Sequence, residues 1–268
     1  AQLPENYQEI YAERGYKNTQ FNPVKTWTEY TNRLVGVSIG FCILLTAWAS
    51  RIYLKSDKSI FYLCLSVLFI TGFQGWLGSA VVASNLKPFM ITLHMLLALF
   101  IVALLIFSIA KSQRDYLVDI DSSQLSSSVY TAIKFAMGFT LIQIAMGTQV
   151  REAVDFIAHE HKYIDREYWR DSFPIIFYIH RSFSAIILFT NLWISWKIYQ
   201  SVDKDNVLLR CAYLLVGVIA TAIIAGITLD RLGVPPIAQP IHLLMANIIF
   251  GVQFFIYICL FYSSKKQA

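Results

Sequence analysis

Apolar runs of roughly 20 residues recur along nearly the whole chain, each long enough to cross about 30 Å of hydrocarbon as a helix. They predict helices over 33–54, 60–84, 89–111, 128–150, 174–199, 206–230 and 238–262, joined by polar connections. The pattern is that of an all-α, polytopic membrane protein with seven spans. Lys and Arg gather in the connections 51–59, 111–127 and 197–206 and in the tail. On the other side, the basic residues of the N-terminal stretch and of the long loop 151–173 are offset by acids. The positive-inside rule therefore puts the C-terminus in the cytoplasm.

Composition agrees with this pattern. Of 268 residues, 56% are hydrophobic and 15% charged, against about 25% charged in an ordinary soluble domain. That excludes a soluble enzyme, and the 19 Phe, 15 Tyr and six Trp exclude disorder. The net charge of +5 is spread over loops rather than gathered in a basic stripe, so no nucleic-acid partner is expected. Cys42, Cys64, Cys211 and Cys259 all fall inside apolar runs and read as small buried hydrophobes. Trp27, Trp76 and Trp169 fit interfacial anchoring in membrane lipid.

The chain repeats itself at an offset of 148 residues without a gap. Tyr30, Arg33, Ile39, Phe41, Leu44 and Trp48 meet Tyr178, Arg181, Ile187, Phe189, Leu192 and Trp196. Further on, Gly78, Pro88, His94, Leu96 and Ala98 meet Gly226, Pro236, His242, Leu244 and Ala246. The second half has four predicted helices and the first only three, the unmatched one being 128–150. The symmetry predicts eight spans in two pseudo-symmetric four-helix bundles, with a first helix lying before Ala1. The division is 1–112 for the N-terminal bundle and 113–268 for the C-terminal bundle.

Three histidines, His94, His180 and His242, lie within or at the start of spans. An ionisable side chain there is expensive and marks a candidate functional site, although a single such histidine could instead be hydrogen-bonded to a neighbouring helix. His180 and His242 begin the second and fourth helices of one bundle at the same membrane level. Two imidazoles so placed can approach one cofactor from facing helices, and haem iron accepts axial imidazole. Arg181 follows His180 and Arg33 occupies the matching place. Either arginine could pair with a haem propionate or snorkel to lipid headgroups.

In the first half Asn32 stands where the second has His180, and Glu29 lies one helical turn earlier on the same face. One bundle thus offers two histidines, which suits a saturated electron-transfer haem. The other offers His94 and a carboxylate, which suits a reactive haem with an open coordination position and a proton acceptor. Glu29 could instead serve the start of its helix. His159 and His161, as HEH among acids and bases, read as a solvated loop.

At these residues the chain resembles the heme A synthase family. The segments that carry the resemblance are TWTEYTNRLVG at 26–36, FQGWLGSAVVASNLKPFMITLHMLLALF at 73–100, GTQVREAVD at 147–155, YIHRSFSAIILF at 178–189 and GITLDRLGVPPIAQPIHLLMANIIFG at 226–251. The resemblance implies eight spans in two bundles and the oxidation of a methyl group of haem O to a formyl group, by successive hydroxylations, giving haem A. It implies that His180 and His242, with Arg181, hold a haem b cofactor. His94 becomes the iron ligand of substrate haem O, Glu29 the catalytic carboxylate, and Asn32 and Arg33 parts of the substrate site. It also implies a bacterial inner (cell) membrane, haem sites toward the outer leaflet, and haem O synthase and cytochrome oxidase assembly factors as partners. Asn32 departs from the family's usual histidine, so the substrate iron is expected to be held by His94 alone or with a weak ligand or water. The loop 151–173 lacks the cysteine pair of many members. The competing readings are a dihaem b-type electron-transfer protein and a haem-binding assembly factor without turnover.

Overall fold

The computed structural model describes residues 23–84, 86–160, 169, 171–235 and 237–263, with the side chains of Lys25 and His159 left undescribed. Within them the chain is helical, and seven helices are long and apolar enough to span a membrane. They are α1 (Pro23–Ala49), continued by a 3-10 turn at Ser50–Leu54, α2 (Lys58–Ala83), α3 (Pro88–Ser112), α5 (Ser127–Glu160), α6 (Ile175–Ser201), α7 (Val207–Arg231) and α8 (Ala238–Ser263). The short α4 (Arg114–Val118) lies between the third and fourth spans.

Local chemistry sets several of the starts. Asp57 caps α2 by accepting from the Ser59 backbone N–H at 3.0 Å, and Asn206 caps α7 by accepting from Leu208 N–H at 2.9 Å. Pro88 opens α3, where a missing N–H costs nothing. Two helices outrun the sequence expectation. α1 begins ten residues earlier than 33, and α5 continues ten residues beyond 150 through the segment expected to be loop. Hydropathy marks only the part of a helix in lipid. The extension of α5 is polar and carries an Arg151–Asp155 ion pair at 3.4 Å, the i,i+4 spacing that supports an exposed helix. His159 thus lies on a helix rather than in a loop, and His161 lies outside the described residues.

Helices α5, α6, α7 and α8 close a ring, each packing on its neighbours and α8 returning to α5. Their core holds Ile133, Ile194, Ile198, Leu208, Leu215 and Ile256, all fully buried. Lipid is as apolar as these side chains, so close packing and interhelical hydrogen bonds hold such a bundle together rather than water exclusion. One polar contact stands out. Gln253 donates to the Asn191 side-chain oxygen at 2.9 Å, and both residues are completely buried.

Helices α1, α2 and α3 pack in sequence, with Ile43, Val67 and Ile101 meeting in one cluster. The two groups join where α3 lies against α8 and α5. At that seam the hydroxyls of Thr92 and Thr148 are 2.6 Å apart.

The internal repeat reaches into backbone geometry. Leu86 and Val234, 148 residues apart, both adopt positive φ, at 61° and 54°. Each donates its N–H five residues back, to Val81 O and Leu229 O respectively. Residues other than glycine rarely accept that conformation, a β-branched Val least of all, yet the same tight turn occurs twice, ahead of α3 and α8. Pro236 lies outside the described residues.

Two expectations need correction. Cys42 is exposed on α1, while Cys64, Cys211 and Cys259 are buried as expected. Trp27 and Trp76 are exposed, but Trp169 is only 3% exposed because it packs with Ile157 and Ala158 on the extended end of α5.

Candidate functional site

Each of the three membrane histidines rests its ring on a glycine of the preceding long helix. A Cβ on Gly78 would stand 3.2 Å from His94 Cε1, one on Gly147 3.3 Å from His180 Cε1, and one on Gly226 3.2 Å from His242 Cε1. Those distances are tighter than ordinary van der Waals contact, so each ring fills the space a side chain would take. One helical turn earlier, the supporting helix grips the histidine helix or its ring. Gln74 donates to His94 O at 2.9 Å and Gln143 donates to His180 O at 3.0 Å. At the third site the equivalent residue is Ala222, whose carbonyl lies 2.8 Å from His242 Nδ1. A carbonyl can only accept, so this contact puts the proton on Nδ1 and leaves the Nε2 lone pair free for a metal.

His180 and His242 face one another across α6 and α8, with ring centroids 6.3 Å apart and planes at 67°. A metal–nitrogen bond of about 2 Å on each side, plus about 1 Å from each nitrogen to its ring centre, gives roughly 6 Å for two imidazoles on one ion. That separation suits two imidazoles that would hold a single metal between them. No cluster of three or more His, Cys, Asp or Glu occurs among the described residues. A metal held here needs its remaining ligands from elsewhere, as a haem macrocycle supplies them. The Nδ1 atoms of His94 and His180 are buried without a hydrogen-bond partner among the described residues.

Beside the pair, Arg181 meets Asp230 through Nη1···Oδ2 at 3.1 Å, and Arg231 approaches the same oxygen at 3.6 Å. The Asp230 side chain is only 10% exposed while that of Arg181 is 48% exposed. The guanidinium is thus anchored on its inner side and keeps donors for an anion at the membrane surface. At the position matching Asp230 the first half has Val82, so Arg33 lacks the equivalent anchor.

Glu29, Asn32 and Arg33 are exposed on α1, with Glu29 and Asn32 one turn apart. α1 packs chiefly on α2. An open furrow of about 660 Å³ that includes Asn32 is lined by α1 residues alone, from Pro23 to Val35. The structure therefore joins His180 to His242 directly, and leaves Glu29 and Asn32 on a neighbouring helix without bringing them onto His94.

The family model COX15-CtaA, described as cytochrome oxidase assembly protein, matches residues 2–254. The chain belongs to this family. No curated protein and no solved structure matches it. The COX15-CtaA family is that of the heme A synthases, membrane oxidoreductases that act in cytochrome oxidase assembly, and seven apolar spans accord with that membership.

Several residues around the histidines escaped sequence reasoning. The glycine 16 residues before His94 and before His242 was visible as part of the repeat, but its contact with the ring was not. Gly147 lies 33 residues before His180, across the long loop, and the ungapped register could not pair them. A sequence signal existed in the shared spacing of Gln74 with Gly78 and Gln143 with Gly147. Asp230 had no such signal, because its first-half counterpart is apolar.

Proposed function

We propose that this member of the COX15-CtaA family oxidises a methyl group of haem O to a formyl group by successive hydroxylations, giving haem A. Residues 113–268 form the cofactor bundle, in which His180 and His242 hold haem b. Residues 1–112 form the substrate bundle, in which His94 holds the iron of haem O. The observation that supports this best is the separation of His180 and His242, suited to one ion between two imidazoles, set against Asn32 at the position matching His180. One half can saturate an iron and the other leaves a coordination position for chemistry.

Haem b bound at the first site would supply one-electron transfer. The protein's own groups do the rest. The glycine under each imidazole fixes its plane. The Ala222 carbonyl fixes the His242 tautomer. Arg181, braced by Asp230, holds a propionate at the outer end of the cofactor bundle, and Arg33 does the same for the substrate. Glu29, one turn from Asn32 on α1, is the carboxylate that would move protons for the substrate site. The sites face the outer leaflet of a bacterial inner membrane, with the C-terminus cytoplasmic. Haem O synthase is the partner that would hand over so apolar a substrate.

Extraction of the pigments from purified protein tests the reading. Haem O, its hydroxylated form or haem A beside haem b is expected. Haem b alone at both sites would make the chain an electron-transfer protein and overturn the assignment.

A further inference from the structure

The three helices that support the membrane histidines differ at one position. Four residues before the supporting glycine stand Gln74 on α2, Gln143 on α5 and Ala222 on α7. The state of the imidazole Nδ1 follows that difference. Beside Ala222, the ring of His242 reaches the backbone carbonyl at 2.8 Å. Beside the glutamines, Nδ1 of His94 and of His180 is buried without a hydrogen-bond partner among the described residues, and so is the Oε1 of Gln74 and of Gln143. The unpaired atoms come as one donor and one acceptor for each histidine that has a glutamine beside it.

The surrounding contacts hold the members of each pair together. The amide of Gln143 is fixed to His180 by Nε2 donating to the backbone O at 3.0 Å, and that of Gln74 to His94 at 2.9 Å. A backbone carbonyl only accepts, so Nε2 faces it and Oε1 is the amide atom left over. The ring edge turned to the supporting helix bears Cε1 and Nδ1. A Cβ on Gly147 would stand 3.3 Å from Cε1 and 3.9 Å from Nδ1 of His180, with Nε2 beyond 4 Å. The free nitrogen therefore faces away from the helix that carries Gln143.

We propose that Gln143 and Gln74 are positioning residues for the two iron ligands, each accepting the Nδ1–H of its histidine on Oε1 while Nε2 holds the same residue's carbonyl. One bond satisfies both unpaired atoms in a place where an unmade bond is costly. It puts the proton on Nδ1 and leaves Nε2 for iron, as the Ala222 carbonyl does for His242. Such an acceptor raises the basicity of the imidazole, and hydrogen bonding behind a ligand is one of the levers that set a haem potential. A more basic ligand favours ferric over ferrous iron. His180 and His242 then differ in kind, one tuned by a replaceable side chain and the other by helix backbone. The inference rests on the reading of these histidines as haem ligands. The rival acceptor is the backbone carbonyl of Gln143, which matches Ala222 O and lies beside the His180 ring without completing the bond.

The test is the midpoint potential of the low-spin haem in full-length protein purified from membranes. Gln143→Leu removes the acceptor and is expected to shift the equilibrium toward ferrous iron by about tenfold, which for one electron is ~59 mV. Gln143→Glu keeps an oxygen for Nδ1–H and is expected to hold the potential at or below that of wild type. An unmoved or lowered potential in Gln143→Leu overturns the inference, since the Gln143 backbone then serves Nδ1. An equal rise in both variants overturns it too, because the lost grip on His180 O would explain both. Should Gln143→Leu fail to retain haem, the infrared difference between oxidised and reduced wild type, isotopically labelled at the glutamine side-chain carbonyl, takes its place. A labelled amide band that weakens in Gln143→Glu is expected, and its absence overturns the inference. Wild-type protein without low-spin haem overturns the reading of the histidines as haem ligands, and the inference with it.

Discussion

Gly226 lies against the imidazole of His242, sixteen residues further along the chain, with no room between them for a methyl group. Gly226→Ala must push the ring away from Ala222 O, now 2.8 Å from Nδ1, at about 1–3 kcal/mol for overpacking. The low-spin haem signal of the purified variant should shift or weaken, as read by electron paramagnetic resonance. Gly217, on the same helix, has nothing within 4 Å of where a Cβ would be. Gly217→Ala should leave the signal unchanged, and a shift equal to that of Gly226→Ala would rule out ring support as the cause.

His180→Ala removes one of the facing imidazoles and should abolish the low-spin haem b spectrum. Glu29→Ala should leave that spectrum intact while stopping the formation of haem A. Normal haem A in the second variant would remove Glu29 from the catalytic role, and an unaltered spectrum in the first would reassign the ligand.

The buried carboxylate of Asp230 holds Arg181 at 3.1 Å. Because the arginine is half exposed, the ion pair itself should contribute no more than about 1 kcal/mol. Asp230→Asn should therefore lower the thermal midpoint only slightly, yet release the guanidinium and reduce haem b retention during purification. Full retention with a lowered midpoint would mean that the pair only joins α6 to α7.

At the opposite end of the membrane, Asp57 accepts from the Ser59 hydroxyl and backbone and pairs with Lys111 at 3.3 Å. The Ser59 hydrogen bond, ahead of the backbone bond and Lys111, holds its carboxyl below the usual 3.8. A depressed folded-state value means that the carboxylate stabilises the fold above about pH 4 and ceases to do so as acid protonates it. Asp57→Ala should lower the thermal midpoint at pH 7, and the difference from wild type should shrink toward pH 3. A difference constant across that range would argue for an uncharged role.

Much of this architecture was legible because lipid simplifies the code. Seven runs gave seven spans, and the histidines were marked by their scarcity in apolar sequence. What hydropathy could not show is where a helix continues into water, hence the unforeseen length of α5 past Arg151. Nor could the repeat reveal contacts between residues it does not equate. Gly147 meets His180 although the offset of 148 residues does not relate the two, and Asp230 answers Arg181 where the first half has Val82. Between residues that the repeat does equate, the likeness extends to the backbone, as the left-handed Leu86 and Val234 show.

The hydroxyl contact between Thr92 and Thr148 bears on how the protein meets bilayers of different thickness. Thr148 follows the glycine that supports His180, and Thr92 precedes His94 by two residues. A slide of one half past the other by a helical turn, about 5.4 Å, would break that contact and leave each hydroxyl on the carbonyl of its own helix, Pro88 O or Ala145 O. While it holds, the contact ties the helix end that carries His94 to the one that supports His180, and so couples the depths of the two histidine levels.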